Sequence, residues 1–379
     1  MEGPGQRRLL VVSAGMGAGH DTVAGELARR LRERGCHVAR RDLLGLFPAG
    51  TGACLRGAYR LTIRRMPWAY GLVYTAFFRS RRSGRHPGIA PVSSLVEAEL
   101  LRAVENERPD VIVSTFHLAA QVAGRLRSRG LLAVPSAVVV TDFAVHRQWA
   151  HPGNDLHLCV TEVAAVRARE QSGRRATASG PVVPPAFEPS RALRDSTGWA
   201  HLLARQAPGR PRVLVSLGAW ATGSDPCRTA SLLHEAGYLP VVLCGHDDRL
   251  RRRVARHSGN LALGWVHGLA GLMAAADALV DNAAGQTALQ ALSVGLPVVG
   301  YRPIPGHGVE GVAGMAAAGL SQYARSPGEL LRALQAVTGD GPVREERVAA
   351  GRSIFRADAA RLVAELADLP GPAPVVADG

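Results

Sequence analysis

The chain has 379 residues, 47% apolar and 5% aromatic, which is enough for two or three domains with cores of their own. Its formal charge is +14 and its 45 basic residues are all arginine, a surplus that favours phosphates, nucleic acid or acidic headgroups as partners. Cys36, Cys54, Cys159, Cys227 and Cys244 are scattered without CxxC spacing, which excludes a disulfide framework and a cysteine-based zinc site.

The start of the chain passes from polar residues straight into Leu9–Val12, so no signal peptide is expected. Leu9–Val12 predicts a strand, and Val23, Leu27 and Leu31 place the next segment on a helix. Between them runs Ser13-Ala14-Gly15-Met16-Gly17-Ala18-Gly19-His20, a glycine loop that lets a ligand approach a helix N-terminus. The spacing is GxGxG followed by His, which departs from the dinucleotide pattern. His20 is a candidate general base; the alternative is a surface histidine near a helix cap.

Leu55–His86 interleaves Tyr59, Trp68, Tyr70, Tyr74, Phe77 and Phe78 with Arg56, Arg60, Arg64, Arg65, Arg79, Arg81, Arg82 and Arg85. Aromatics mixed with arginine suit a membrane interface; a helical insertion packed on its own domain is the other reading. No nucleic-acid-binding motif accompanies the charge, so nucleic acid is not expected as a partner.

Asp110–Ser114, Ala137–Thr141 and Leu156–Thr161 are further strands. The run Leu131–Val145 is broken by Pro135 and Asp142 and is too short to span a bilayer, so any membrane role is peripheral. After the second of these strands come Asp142, His146, Trp149 and His151, at the strand end where α/β sheets place ligands. Their spacing permits a zinc site, but no HExxH or nearby cysteine supports one, and no metal is expected.

Gly180–Pro189 holds four prolines and cannot sit inside a sheet. A second alternating series follows: Arg212–Leu217, Pro240–Cys244, Ala278–Val280 and Pro297–Gly300. Gly218-Ala219 ends one strand in a loop that lacks the GK[ST] of a P-loop. Ala284 and Gly285 open a helix whose free N–H groups could hold a diphosphate, with Gln290 a turn later. The whole predicts an α/β chain of two doubly wound domains. We expect an N-terminal acceptor- and membrane-facing domain over 1–180, a linker over 181–195, a donor-binding domain over 196–355, a C-terminal helix over 356–369 and a disordered tail over 370–379.

Together, the SxGxGxGH-like start, Thr141-Asp142-Phe143 with His146, Trp149 and His151, Gly264-Trp265-Val266 with Leu272–Asp277, and Ala284-Gly285-Gln286-Thr287 with Gly295–Val299 and Tyr301–Gly306 resemble glycosyltransferase family 28. The similarity is to its monogalactosyldiacylglycerol synthase and processive diacylglycerol glucosyltransferase branch. It implies the GT-B architecture, two Rossmann-like domains facing a central cleft. It also implies inverting transfer of galactose or glucose from a UDP-sugar to a lipid such as diacylglycerol, by a cytoplasmic protein held peripherally at the inner face of the cell membrane. The UDP-sugar is a substrate, and no cofactor is implied.

On this resemblance His20 is the base and Asp142 orients it or the acceptor. Gly218, Ala219, Ala284, Gly285, Gln286 and Thr287 hold the diphosphate, Gln290 the ribose, the backbone at Trp265 and Val266 the uracil, and His307 and Glu310 the donor sugar. Gly17, Gly19, His146, Trp149 and His151 shape the acceptor side, and Tyr59, Arg64, Arg65, Trp68, Tyr74, Phe77 and Phe78 meet an anionic membrane surface. The family usually has Gly-Gly where Ala284-Gly285 stands, Glu for Gln290, Gln or Glu for His307, and Asn near Gly311. Gln accepts from ribose hydroxyls without charge assistance. Competing readings keep the fold with a peptidoglycan precursor or secondary metabolite as acceptor, or make the chain a non-catalytic nucleotide- or membrane-binding protein. An NAD(P) oxidoreductase is disfavoured by the glycine spacing.

Overall fold

A computed structural model describes residues 6–75, 90–218, 225–257, 259–355 and 357–368. The chain forms two compact units, one of Met1–Leu61, Leu72–Val182 and Arg356–Gly379, the other of Thr62–Gly71 and Val183–Phe355.

The first unit holds β1 (Arg8–Ser13), α1 (Ala18–Glu33), β2 (His37–Asp42), α4 (Ala90–Glu107), β3 (Val111–Ser114), α5 (His117–Ser128), β4 (Ser136–Val139), β5 (Leu156–Cys159), α6 (Glu162–Ser172) and β6 (Arg175–Ala178), with most of α2 (Thr51–Arg65) and the end of α3 (Pro67–Tyr74), whose intervening residues Thr62–Gly71 group with the second unit. All its strands are parallel, in the order β2-β1-β3-β4-β5-β6. Successive residues of a strand point to opposite faces. Leu9 and Val11 join one core with Val23, Leu27 and Leu31 of α1, while Leu10 and Val12 join another with Val96 and Leu100 of α4 and Leu126 of α5. Both faces are covered, so the central strands read as unbroken apolar runs.

The second unit runs α7 (Pro189–Arg194), α8 (Thr197–Gln206), β7 (Arg212–Ser216), α9 (Pro226–Glu235), β8 (Leu239–Leu243), α10 (Asp248–Ala255), β9 (Leu261–Leu263), α11 (Leu269–Ala274), β10 (Ala278–Asp281), α12 (Gln286–Val294), β11 (Val298–Tyr301), α13 (His307–Ala317), β12 (Ser321–Ala324), α14 (Pro327–Thr338) and α15 (Pro342–Ser353). Its sheet is again all parallel, in the order β12-β11-β10-β7-β8-β9. The proline-rich stretch read as a linker carries a 3-10 turn at Pro185–Phe187 and then α7, each opened by a proline whose missing N–H costs nothing at a helix start.

α16 (Ala359–Asp368) follows, and its Ala359, Ala360, Val363, Leu366 and Ala367 are buried in the core of the first unit beside α1. Asp358 accepts from Arg34 at 2.7 Å and Arg30 at 3.4 Å, which fixes the entry to this helix.

Candidate functional site

In each sheet the strand order reverses once, and ligands of open α/β sheets collect at the carboxyl ends of the strands flanking that reversal. The reversal lies between β1 and β3 in the first unit and between β7 and β10 in the second. The loops that leave β1, β7 and β10 lead to His20, Gly218 and Ala284–Thr287, among the residues singled out from the sequence.

In the first unit the chain leaves β1 at Ser13, turns through Ala14–Gly17 and enters α1 with Gly17 as N-cap. Ser13 Oγ donates to Asp21 Oδ1 at 2.8 Å, which fastens the strand end to the first turn. His20 stands in that turn with Gly19 beside it. Its Nδ1 lies 3.0 Å from the main-chain oxygen of Thr115, the residue after β3. A carbonyl can only accept, so Nδ1 carries the proton and Nε2 is left with its lone pair. The Thr141 hydroxyl is 3.5 Å from the same nitrogen. Phe116 meets the imidazole edge-on at 5.1 Å between centroids, and Trp149 lies at 6.3 Å.

Among the described residues Asp142 makes no direct hydrogen bond to His20. Its Oδ2 accepts the Trp149 indole N–H at 2.8 Å, and its Oδ1 is 3.4 Å from the Thr141 hydroxyl. Trp149 is fully buried and forms a wall against which His117 and His146 also pack, at 5.9 and 6.2 Å. His117 meets His146 edge-on at 5.3 Å, and Tyr74 meets His146 edge-on at 6.1 Å. Tyr74 is therefore buried inside the unit and is not part of a membrane-facing surface. His151 lies apart from this cluster. Its Nδ1 accepts from the Gly153 N–H at 3.0 Å, and burial pushes its pKa down to about 4. Among the described residues no group of three or more His, Cys, Asp or Glu could hold a metal ion.

Of the aromatic–arginine stretch, Trp68 and Leu72 lie four apart on α3 and are 66% and 64% exposed. Leu61, Arg65 and Met66 are exposed beside them in sequence, and Tyr59 is half-buried. The Arg64 side chain and Phe77 and Phe78 lie outside the described residues, as do Ala219 and the tail 370–379.

In the second unit β7 leads to Gly218 in a left-handed conformation. β10 ends at Asp281, whose buried carboxylate accepts from the amides of Ala283 at 2.9 Å and Ala284 at 2.6 Å. Burial raises the Asp281 pKa, and these backbone bonds oppose the rise. They bend the chain so that Gly285 becomes the N-cap of α12 and the amides of Gln286 and Thr287 fall in its first turn. Ala284 has φ +50, a left-handed geometry that glycine adopts more readily. Arg302, also non-glycine and just after β11, has φ +48, and Asp225, the N-cap of α9, has φ +42. Gln290 is buried on α12, three residues beyond Thr287 and on the same side of the helix.

After β11 the Ile304 amide bonds the Asn282 oxygen at 2.9 Å, which lays the loop from Tyr301 along the start of α12. α13 then begins with half-buried His307 and Glu310 in its first turn. A Cβ on Gly311 would come within 2.9 Å of the Ala283 oxygen, so this helix approaches the loop after β10 too closely for a side chain there without a shift. Trp265 is 46% exposed and lies flat on His246, at 4.3 Å and 7° between ring planes, with Val266 following.

A family model described as monogalactosyldiacylglycerol (MGDG) synthase matches residues 20–182, the segment that starts at His20. A processive diacylglycerol beta-glucosyltransferase of Staphylococcus carnosus (strain TM300) is 23% identical over 349 residues, 88% of this chain and 85% of that protein. The enzyme of the same name from Bacillus subtilis (strain 168) is 25% identical over 211 residues, and there the chain spans about half, 54%, of its length. Among solved structures, MurG of Acinetobacter baumannii matches with a TM-score of 0.58 at 14% identity, over 96% of this chain and 100% of that one. UGT89C1 of Arabidopsis thaliana, complexed with UDP-L-rhamnose, matches with a TM-score of 0.63 at 12% identity over 96% and 100%. These likenesses establish the GT-B fold expected from the family resemblance.

Proposed function

We propose that the chain is an inverting, UDP-sugar-dependent hexosyltransferase that moves glucose or galactose onto a lipid hydroxyl such as that of diacylglycerol. The observation that carries this reading is His20, held through Nδ1 by the Thr115 carbonyl at the reversal point of its sheet, with Nε2 free to take a proton. The acceptor hydroxyl gives its proton to Nε2 as its oxygen attacks C1 of the sugar. The bond from C1 to the diphosphate oxygen breaks, and UDP leaves with the electron pair. The charge that develops there is what the amides of Gln286 and Thr287 at the start of α12 are suited to stabilise. The sugar is inverted at C1 because attack and departure occur on opposite faces. Asp142 fixes Trp149, and the Phe116–His117–His146–Trp149 wall shapes the acceptor side. Gln290 takes the ribose, His307 and Glu310 the sugar, and Trp265 with Val266 the uracil.

No helix among the described residues is long and apolar enough to cross a membrane. Leu61, Met66, Trp68 and Leu72 with Arg65 support peripheral contact with an anionic lipid surface at the cytoplasmic face. The reading is tested by offering labelled UDP-glucose and UDP-galactose with vesicles containing diacylglycerol and resolving the products by chromatography and NMR. A β-linked hexosyl lipid from an α-linked donor is expected. No labelled lipid from either donor would overturn it.

A further inference from the structure

Asp42 ends the edge strand β2, level with Ser13 in the register of β1, and it contacts three elements at once. Its Oδ1 accepts from the Gly15 amide at 3.1 Å and from the Leu44 amide at 3.0 Å. Its Oδ2 accepts from Arg56 Nη2 on α2 at 3.0 Å. A Cβ on Gly15 would sit 3.2 Å from that Nη2 and 3.3 Å from Asp42 Oδ2, so the guanidinium and carboxylate lie directly against the loop backbone. Arg56 Nε is buried with no hydrogen-bond partner among the described residues, which leaves the carboxylate to hold this side chain in place.

The loop has few other anchors. Met16 N bonds Ala14 O at 2.7 Å, and Ser13 bonds Asp21 at 2.8 Å. Thr115 fixes the imidazole ring of His20, but the path of the backbone that delivers His20 to Thr115 runs through Gly15. We infer that Asp42 and Arg56 are positioning residues for His20: the pair pins the Gly15 amide and thereby sets where Nε2 points. The inference rests on the reading of His20 as the base. Because Arg56 belongs to α2, it also ties that helix to the base loop. A misplacement of about 1 Å can cost on the order of 10²-fold in rate without touching the chemistry.

The test compares Asp42→Ala, Asp42→Asn, Arg56→Ala and Arg56→Lys in the full chain. Asp42→Ala should lower kcat by about 10²-fold with the KM for the UDP-sugar unchanged. Asp42→Asn keeps one carbonyl oxygen for Gly15 and Leu44 and should recover most of the loss. Arg56→Ala should fall between, with Arg56→Lys restoring it. Amide exchange at residues 15–17 should quicken in Asp42→Ala and Arg56→Ala and return in the conservative variants. If Asp42→Ala does not fold, Arg56→Ala and Asp42→Asn carry the comparison. Parental kcat in Arg56→Ala, or a donor KM that rises in step with the loss, would overturn the inference. If the parent transfers no sugar, the functional reading has failed, and exchange alone decides: unchanged protection of Gly15 in the variants then overturns the positioning role.

Discussion

His20 illustrates how much of a side chain's role is set by a single main-chain oxygen. Without Thr115 the imidazole could carry its proton on either nitrogen, and only one tautomer leaves the outward nitrogen free. His20→Ala should therefore lower kcat by about 10²- to 10⁴-fold while calorimetric UDP affinity stays at the parental value, since the residues proposed for the donor all lie in the other unit. Near-parental turnover would remove His20 from the reaction. Gly311 makes the complementary point about absence. The family resemblance implies Asn near this position, yet a Cβ here would press within 2.9 Å of the Ala283 oxygen. Gly311→Asn should destabilise the chain by about 1–3 kcal/mol and weaken UDP binding, read by thermal melting and titration. A variant as stable as the parent would mean that α13 gives way easily. His20, Asp142, Gly285 and Gln290 were visible in the sequence because each follows a strand or opens a helix. Their partners were not. The Trp149 indole N–H on Asp142 and the hold of Asp42 on Gly15 join residues 7 and 27 positions apart through turns that no periodicity announces.

At the scale of elements, the strands expected from the sequence and those found differ in one systematic way. Eight of the twelve were legible as apolar runs. The four that were not, β2, β6, β9 and β12, are the four sheet edges. Edge strands bury less: His37–Asp42 is mostly exposed, Arg175–Ala178 is exposed or half-buried, and Leu261–Leu263 is half-buried throughout. The same polarity blunts open edges against unwanted pairing. The aromatic–arginine stretch divides on the same physical grounds. Tyr74 faces the core because His146 offers it an edge, while Trp68 and Leu72 stay in solvent. Replacing Trp68 and Leu72 together by Ser should reduce sedimentation with anionic vesicles several-fold, given that each fully buried large side chain is worth about 1.5–3 kcal/mol. The parental protein should also leave such vesicles as salt rises. Equal partition of variant and parent would assign this face a role other than lipid contact.

At the scale of the molecule, a buried histidine makes stability depend on acidity. His157 lies fully buried on β5, an interior strand next to the edge strand β6. Burial pushes its pKa from 6.5 to about 4. The unfolded chain then takes up a proton that the folded chain refuses, so stability present at neutral pH is lost as pH falls from about 6.5 to about 4. The loss is on the order of 3 kcal/mol for this residue, and His151 adds to it in the same direction. Urea midpoints at pH 7 and pH 4.5 should differ more for the parent than for His157→Leu; equal differences would acquit the residue. The two-unit division follows from a pattern legible in the sequence, two alternating series separated by prolines. That α16 completes the first unit was not legible, because an amphipathic helix advertises an apolar face without naming the surface it covers.

The return of α16 has a consequence for how this protein comes off the ribosome. The face of α1 bearing Val23, Leu27 and Leu31 is closed in part by Val363 and Leu366. More than 170 residues of the second unit are translated between Val182 and Arg356. Nascent chains fold by domains in the order they emerge, at about 5–20 residues per second. The first unit must therefore wait roughly 10 s or more, with one apolar seam open, for a helix synthesised after the entire second unit. Chains ending at Phe355 should melt earlier and bind a hydrophobic dye through the exposed seam. If they melt with the full chain, the helix is an ornament of the fold. Otherwise α16 acts as a checkpoint, since only a ribosome that has read through the second unit can release a sealed first one.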